Sequence, residues 1–549
     1  MMGAIANHPF ASLALCIALL ALPFLVSARS GLSTSTPQWL RWYATAAGAF
    51  LATAAIVLMA RYLIVALPLI EGVDFFYYIC IARDYLLGFP DASLLRYAYF
   101  PGGYRTWQFM MGLLGTDLPA IQVGVVLLLL ANAFLVAVIA KRCVDSWAAG
   151  LIGAIWYLAI AMRFEGLHGT TEPIGSIYAL AGLLAWGGLP LQGSAGWRRA
   201  LLLGIGLGLA AWSKQQCGLV AIGAIVIAIQ FAVNRREIRD SFWIAAAIPC
   251  VSIVTLLGAC LLEGQGSLPL SIGLGLMGEY ETQGSLSANL QVVVRQAGMA
   301  AWFVFVASFL WLAALGAAFA TGKKMAPATA VAGFSLFATI AAAAQYSKRP
   351  YLHYALLAAP FVAIMVSVMA MQIVQAASAL WPRMKPLTSL TAAGLLTLPM
   401  IGSAGSTGHF QLWPPAWTPA VAHGKPWHEA PEIASDLQSI QSVLAPGEDV
   451  LVLPTRRNVI HFMAGTRSVS NPDGYGWGPS DVSDALRAKS LAAVVVLDRR
   501  ILDESDLEAC KDVQCDRAIA MLAQAGFVES ARFPTMTVWR RPAGGRRNQ

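Results

Sequence analysis

Twelve apolar runs dominate the chain, near residues 10–28, 43–69, 119–140, 147–162, 173–189, 200–213, 217–233, 241–262, 299–320, 327–344, 352–371 and 387–404. Hydrocarbon offers the backbone no water, so a spanning segment must satisfy its own N–H and C=O groups, as a helix of about 20 apolar residues does. The chain is therefore expected to be an α-helical polytopic membrane protein. Charged residues make up 12% of it, against about 25% in soluble domains. The first run ends in Val26-Ser-Ala-Arg-Ser30, which looks like a signal cleavage site, yet no Lys or Arg precedes it. It is read as a spanning helix.

Placing the N-terminus outside puts Arg29/Arg41, Lys141/Arg142, Arg198/Arg199, Arg235/Arg236/Arg239, Lys323/Lys324 and Arg383/Lys385 in cytoplasmic loops, as the positive-inside rule requires. The net charge of +8 thus reports orientation and not a nucleic-acid partner. The external loops are then 71–118, 163–172, the turn at 213–216, 263–298 and 345–351. Arg61, inside a run longer than one crossing, is expected to snorkel toward an interface.

Beyond about residue 404 a Pro/Trp/Gly/His-rich linker (405–430) leads to a soluble pattern at 431–549. Helical period over 431–444, a strand-like stretch at 450–454, a helix near 480–489, an apolar run at 491–497 and a helix near 516–525 predict a small α/β domain. Twelve crossings place it outside. Six cysteines lie in or beside apolar runs and act as small hydrophobes. Cys510 and Cys515 stand apart in a polar region without zinc-ligand partners, so a local disulfide and an oxidising compartment are expected.

The chemistry-bearing residues collect in the external loops. In Glu71-Gly-Val-Asp74-Phe-Phe-Tyr-Tyr78, a helix over 71–87 sets Glu71, Asp74 and Tyr78 on one face. The structural alternative is an interfacial helix with aromatics in the headgroup belt and charges in water. The second loop carries Glu165, His168 and Glu172 before Pro173. Glu172 could equally complement a helix dipole, and His168 reads as a loop hydrogen-bonder. Lys214 in the tight turn, and Lys348 and Arg349 in the last loop with Tyr351 and His353 close after them in sequence, bring cations to the side normally poor in them. A phosphate-bearing ligand would account for that. No Walker loop, HExxH, GxSxG or nucleotide fingerprint occurs.

In chain order stand Asp74-Phe-Phe-Tyr-Tyr78, Ala82-Arg83, Leu86-Leu-Gly88, Tyr99-Phe-Pro-Gly-Gly103, Thr171-Glu-Pro173, Gly204-Ile-Gly-Leu-Gly-Leu-Ala210 leading to Lys214, and Ser347-Lys-Arg-Pro-Tyr351 leading to Ala359-Pro360. Together these segments resemble the GT-C superfamily of membrane glycosyltransferases. The last two look like segments of bacterial aminoarabinose transferases and protein O-mannosyltransferases. The likeness covers about residues 43–371. Asp74-Phe75 stands where the mannosyltransferases have an Asp-Glu pair, so Asp74 and Glu71 both remain candidates for the base.

The resemblance implies a polyprenyl-phosphate-sugar donor, a lipid, glycan or protein hydroxyl acceptor, and inverting transfer at the outer face of the bacterial cytoplasmic membrane. It implies Asp74 or Glu71 as catalytic base, with Glu172, Lys214, Lys348, Arg349, Tyr351, His353, Tyr78 and Arg83 as substrate-binding residues. A divalent cation, Mg or Mn, would sit on Asp74 and Glu172. The competing readings are a lipid or polysaccharide transporter, which would line its path with ionisable groups at bilayer depth, and a non-catalytic scaffold. Arg61 alone is clearly ionisable within a run, which disfavours the transporter.

Overall fold

The structure is a computed structural model and describes residues 73–88, 101–164, 169–186, 193–220, 238–263, 285–297, 331, 337–340, 342–344, 346, 352–380, 431–453, 458–468, 485–487, 490–502 and 515–542. The chain divides into two compact units. One comprises Met1–Leu67, Ala98–Gly103 and Gln122–Gly424, and the other Pro68–Tyr97, Tyr104–Ile121 and Lys425–Gln549. Residues 68–97 and 104–121, most of the stretch read as the first external loop, cluster with the C-terminal part.

The first unit is built on helices. Helix α3 (Leu118–Val144), most of which lies here, is followed by α4 (Trp147–Arg163), α5 (Glu172–Trp186), α6 (Gly193–Ser213), α7 (Ile238–Leu262), α8 (Leu286–Ala297) and α9 (Ala359–Leu380). Asp117 starts α3 by accepting from Ala120 N at 2.9 Å, and Lys141 and Arg142 fill its last turn, where cations complement the dipole. By length and composition, one helix among the described residues can cross a membrane, Val123–Val144; shorter apolar helices are Ala149–Leu158, Ala246–Leu262 and Ala359–Val368. Helix α8 lies in a stretch expected to be loop. Ser285 Oγ caps it through Ala288 N at 3.3 Å.

Glycines set the helix spacing. A Cβ on Gly182 of α5 would meet Leu203 O at 3.1 Å, and one on Gly206 of α6 would meet Tyr178 O at 2.7 Å. On the adjoining face of α6, a Cβ on Gly204 would meet Val251 Cβ of α7 at 2.7 Å, and one on Gly208 would meet Ser252 O at 2.6 Å. The run Gly204-x-Gly206-x-Gly208 therefore removes side chains from both flanks of α6, and small residues are what allow helices in lipid to approach this far. The pairings run 182 with 203 but 178 with 206, so α5 and α6 are antiparallel. Those of α6 and α7, 204 with 251 and 208 with 252, run parallel. Asn132 Nδ2 donates to Pro173 O at 2.8 Å and Arg142 to Leu184 O at 2.8 Å, making α3 and α5 parallel with α4 between them in sequence.

In the second unit α1 (Val73–Leu86) and α2 (Gly102–Leu114, from Tyr104 on) join the C-terminal domain. That domain contains α10 (Pro431–Ile440), β1 (Asp449–Leu453), α11 (Asn458–Ala464), β2 (Arg467–Ser468), β3 (Ala493–Leu497), α12 (Cys515–Met521), β4 (Val528–Arg532) and β5 (Met536–Arg540). The strands form one sheet in the order β2-β1-β3-β5-β4. Strands β2, β1 and β3 are parallel, with Val450 opposite Ala493 and Asp449 opposite its ion-pair partner Arg467. The β3–β5 and β5–β4 pairs are antiparallel, the latter with a bulge between Glu529 and Ala531. Leu451, Leu453, Val494, Leu522 and Phe527 form the core of one face. Asp436 of α10 ties into the turn before β5, accepting from Thr535 N at 2.7 Å.

Helix α1 is buried nearly all round, from Phe75 through Asp84 wherever its side chains are described. An interfacial helix with its charges in water does not fit it: Arg83 and Asp84 are 5% and 4% exposed. On α2 the ring of Trp107 meets Phe75 edge-on at 5.3 Å, and Tyr104 stacks on Tyr85 at 5.5 Å with Arg105 4.0 Å from the Tyr85 ring. From α11, Phe462 meets Phe76 at 5.9 Å.

Candidate active site

The close approach of α5 and α6 decides what happens at one end of the first unit. With 182 beside 203, 178 beside 206 and 175 beside 210, continuing the antiparallel register brings Glu172 beside Lys214. Lys214 Nζ lies 3.0 Å from Glu172 Oε1, and both side chains are almost fully enclosed, 8% and 3% exposed. Lys214 has extended backbone and leads into a short 3₁₀ turn, Gln215–Leu219. Its N–H still donates to Ala210 O at 2.9 Å. Gly175 has to be glycine here because its Cβ would lie 2.5 Å from Cys217 Sγ.

Two further segments reach this end. A second 3₁₀ turn, Leu352–Leu357, packs on α5 and carries His353, which acts electrostatically on Glu172 together with Lys214. The ring of His353 meets Tyr354 edge-on at 4.8 Å. Gly102, from the Pro-Gly-Gly segment, sits where a Cβ would be 2.7 Å from Ser213 Oγ and 2.8 Å from Ser213 N. The stretches around 102 and 172 therefore each meet the one around 214 at a close approach made by a glycine, Gly102 against Ser213 and Gly175 against Cys217, with the 352–357 turn packed on α5.

Around the ion pair several enclosed polar atoms have no hydrogen-bond partner in the protein: Thr170 Oγ1, Thr171 Oγ1, Glu172 Oε2, Ser176 Oγ and Gln216 Oε1. Enclosed polar groups are normally paired, and leaving one unpaired costs about 1–3 kcal/mol, more if charged. Their concentration here suits a polar ligand. Chemically, the lysine supplies positive charge for an anionic group, while the hydroxyls and the second carboxylate oxygen suit the O–H groups of a sugar.

Lys214 and Glu172, expected in separate roles, are thus one pair. Asp74 falls in the first turn of α1. Tyr78 is buried in the second unit. Arg83, expected to bind substrate, instead has all of its donors engaged within the protein, as set out below. Glu71, Glu165, His168, Lys348, Arg349, Tyr351 and Cys510 lie outside the described residues; Cys515 opens α12. Among the described residues no group of three His, Cys, Asp or Glu side chains could hold a metal ion. Sequence reasoning assigned no role to Thr170, Ser176 or Gln216, and took Thr171 only as part of the Thr171-Glu-Pro173 segment, because isolated hydroxyls and amides carry no pattern.

No family model and no curated protein matches the sequence. Among solved structures, the chain is similar to ArnT from Cupriavidus metallidurans bound to undecaprenyl phosphate, with a TM-score of 0.57 and 13% identity over 90% of this chain and 99% of that one. The apo state of the same protein gives 0.54 and 13% identity, over 89% and 98%. The oligosaccharyltransferase AglB from Archaeoglobus fulgidus gives 0.48 and 13% identity, over 88% and 74%. ArnT is an aminoarabinose transferase of the GT-C superfamily, and its likeness to this chain extends over nearly the whole of both proteins. The chain has the fold of the polytopic GT-C membrane glycosyltransferases, as its sequence motifs imply.

Proposed function

We propose that this chain is an inverting glycosyltransferase that moves a sugar from a polyprenyl-phosphate donor to a hydroxyl acceptor at the outer face of the bacterial cytoplasmic membrane. The observation that carries the reading is the enclosed Glu172–Lys214 pair, 3.0 Å apart and surrounded by unpartnered polar atoms, in a chain with the fold of a protein that binds undecaprenyl phosphate. In this reading Lys214 and His353, with Lys348 and Arg349, face the donor phosphate and stabilise it as it leaves. Glu172 orients Lys214, and with Thr171 and Ser176 it receives sugar hydroxyls.

Asp74 takes the proton from the acceptor oxygen as that oxygen bonds to the anomeric carbon and the bond from carbon to phosphate oxygen breaks. A hydroxyl is a weak nucleophile at neutral pH, so a carboxylate base is required. The membrane domain spans 1–404 with twelve crossings, and the domain at 431–549 is extracytoplasmic with Cys510 and Cys515 joined. A requirement for a divalent ion, Mg or Mn, belongs to the same proposal.

The test is transfer by purified full-length protein in nanodiscs from synthetic polyprenyl-phosphate sugars, assayed with Mg²⁺, with Mn²⁺ and with EDTA. Release of polyprenyl phosphate dependent on an added acceptor extract supports the reading. Movement of the intact lipid-linked sugar between leaflets without cleavage would replace it with the transporter. Envelope glycans of cells with and without the gene, compared by mass spectrometry, identify the acceptor.

A further inference from the structure

Arg83 is a buried cation, and a buried cation needs partners for every donor it carries. Its Nε and one Nη donate to Asp84 Oδ1 at 3.3 and 3.0 Å; the remaining bonds go to His461 O at 2.9 Å, Phe462 O at 3.1 Å and Thr466 O at 2.6 Å. These five bonds match the five N–H groups of a guanidinium. The acceptors are not scattered. Helix α11 ends at Ala464, and Gly465, with φ +70°, turns the chain into the left-handed region. Thr466 N then bonds to His461 O and Gly465 N to Phe462 O, a Schellman stop. Arg83 takes the free lone pairs of those same two carbonyls, and Gln441 Nε2 takes Met463 O at 2.7 Å. The cation thus lies at the negative end of the helix dipole, 5.9 Å from the Phe462 ring.

We propose that Arg83 is a positioning residue and the C-terminal domain a frame for α1: through Arg83 the end of α11 fixes the helix that carries Asp74. This rests on the glycosyltransferase reading for its catalytic consequence. The domain then acts on transfer by placing α1, and it need not touch either substrate. A shift of α1 by a fraction of a turn would move Asp74 by an ångström or more, enough to cost on the order of 10²-fold in rate.

The test uses full-length protein in nanodiscs, with hydrogen exchange and transfer kinetics measured on the same samples. In Arg83→Gln, exchange should rise in peptides covering 73–86 and 458–466 while 493–497 keeps its protection. The kcat should fall on the order of 10²-fold with the donor KM little changed, and Arg83→Lys, which keeps charge and three donors, should recover part of both. Unchanged exchange in α1, or raised exchange with unchanged kcat, overturns the proposal. If Arg83→Gln loses protection everywhere, Arg83→Lys is judged by the same criteria. A wild-type protein that transfers no sugar defeats the glycosyltransferase reading alone. Exchange in 73–86 then still decides whether the domain holds α1.

Discussion

Asp74 and the Glu172–Lys214 pair make different demands on the same experiment. If Asp74 is the base, Asp74→Asn keeps size and polarity but accepts no proton, so transfer should fall by about 10²-fold or more while donor binding persists. Glu71→Gln should cost much less, and the reverse ranking would hand the role to Glu71. For the enclosed pair, removing one partner leaves an uncompensated charge, so Lys214→Met and Glu172→Gln should each destabilise the protein by about 3–5 kcal/mol. The double variant should melt close to wild type, because exchanging a buried pair for neutral groups is often nearly neutral. Transfer should nevertheless stay lost. A double variant that transfers sugar would reduce the pair to a structural strut. Glu172 and Lys214 were legible in the sequence as out-of-place charges, but their pairing was not. It depends on the glycine register of two helices, which sequence reading records as composition only.

Helices carry the next set of consequences. Gly175→Ala drives a methyl to within 2.5 Å of Cys217 Sγ and should cost about 1–3 kcal/mol. Cys217→Ala removes that sulfur, so the double variant should regain most of the loss in thermal melts. Failure of the rescue would show that another contact sets the spacing of α5 and the 215–219 turn. In α11, burial and the nearby Arg83 push His461 down to about 3, while Nδ1 lies 3.1 Å from Thr466 Oγ1. The unfolded chain takes up a proton near 6.5 and the folded one does not. Stability from this group is therefore complete above about pH 6.5 and declines as pH falls toward 3, by up to ~1.4 kcal/mol per pH unit. His461→Asn should flatten that decline in pH-dependent melts. Helix α2 was legible but read as loop: Tyr104, Trp107 and Met111, all buried, stand at i, i+3 and i+7. A search for runs of about 20 apolar residues passes over so short an amphipathic helix.

For the whole molecule, the twelve-crossing arrangement is tested by labelling. Cysteine at Gly196 should be shielded from an impermeant thiol reagent in intact cells, and cysteine at Ser285 should react. The opposite result would put every candidate residue in the cytoplasm. The strands at 449–453 and 493–497 were readable from their apolar runs. The membership of α1 in the same unit as the C-terminal domain was not, since Arg83 is held there by main-chain carbonyls, which any sequence supplies.

That attachment also bears on how the protein is made. Arg83 and the carbonyl of His461 are 378 residues apart in sequence. At roughly 5–20 residues per second, the ribosome delivers the second about 20–75 s after the first. During that interval α1 has a guanidinium with no acceptors beyond its neighbouring aspartate, and water or a chaperone must serve in their place. Truncation before residue 458 would make the interval permanent, giving quality-control proteases a nascent segment to recognise.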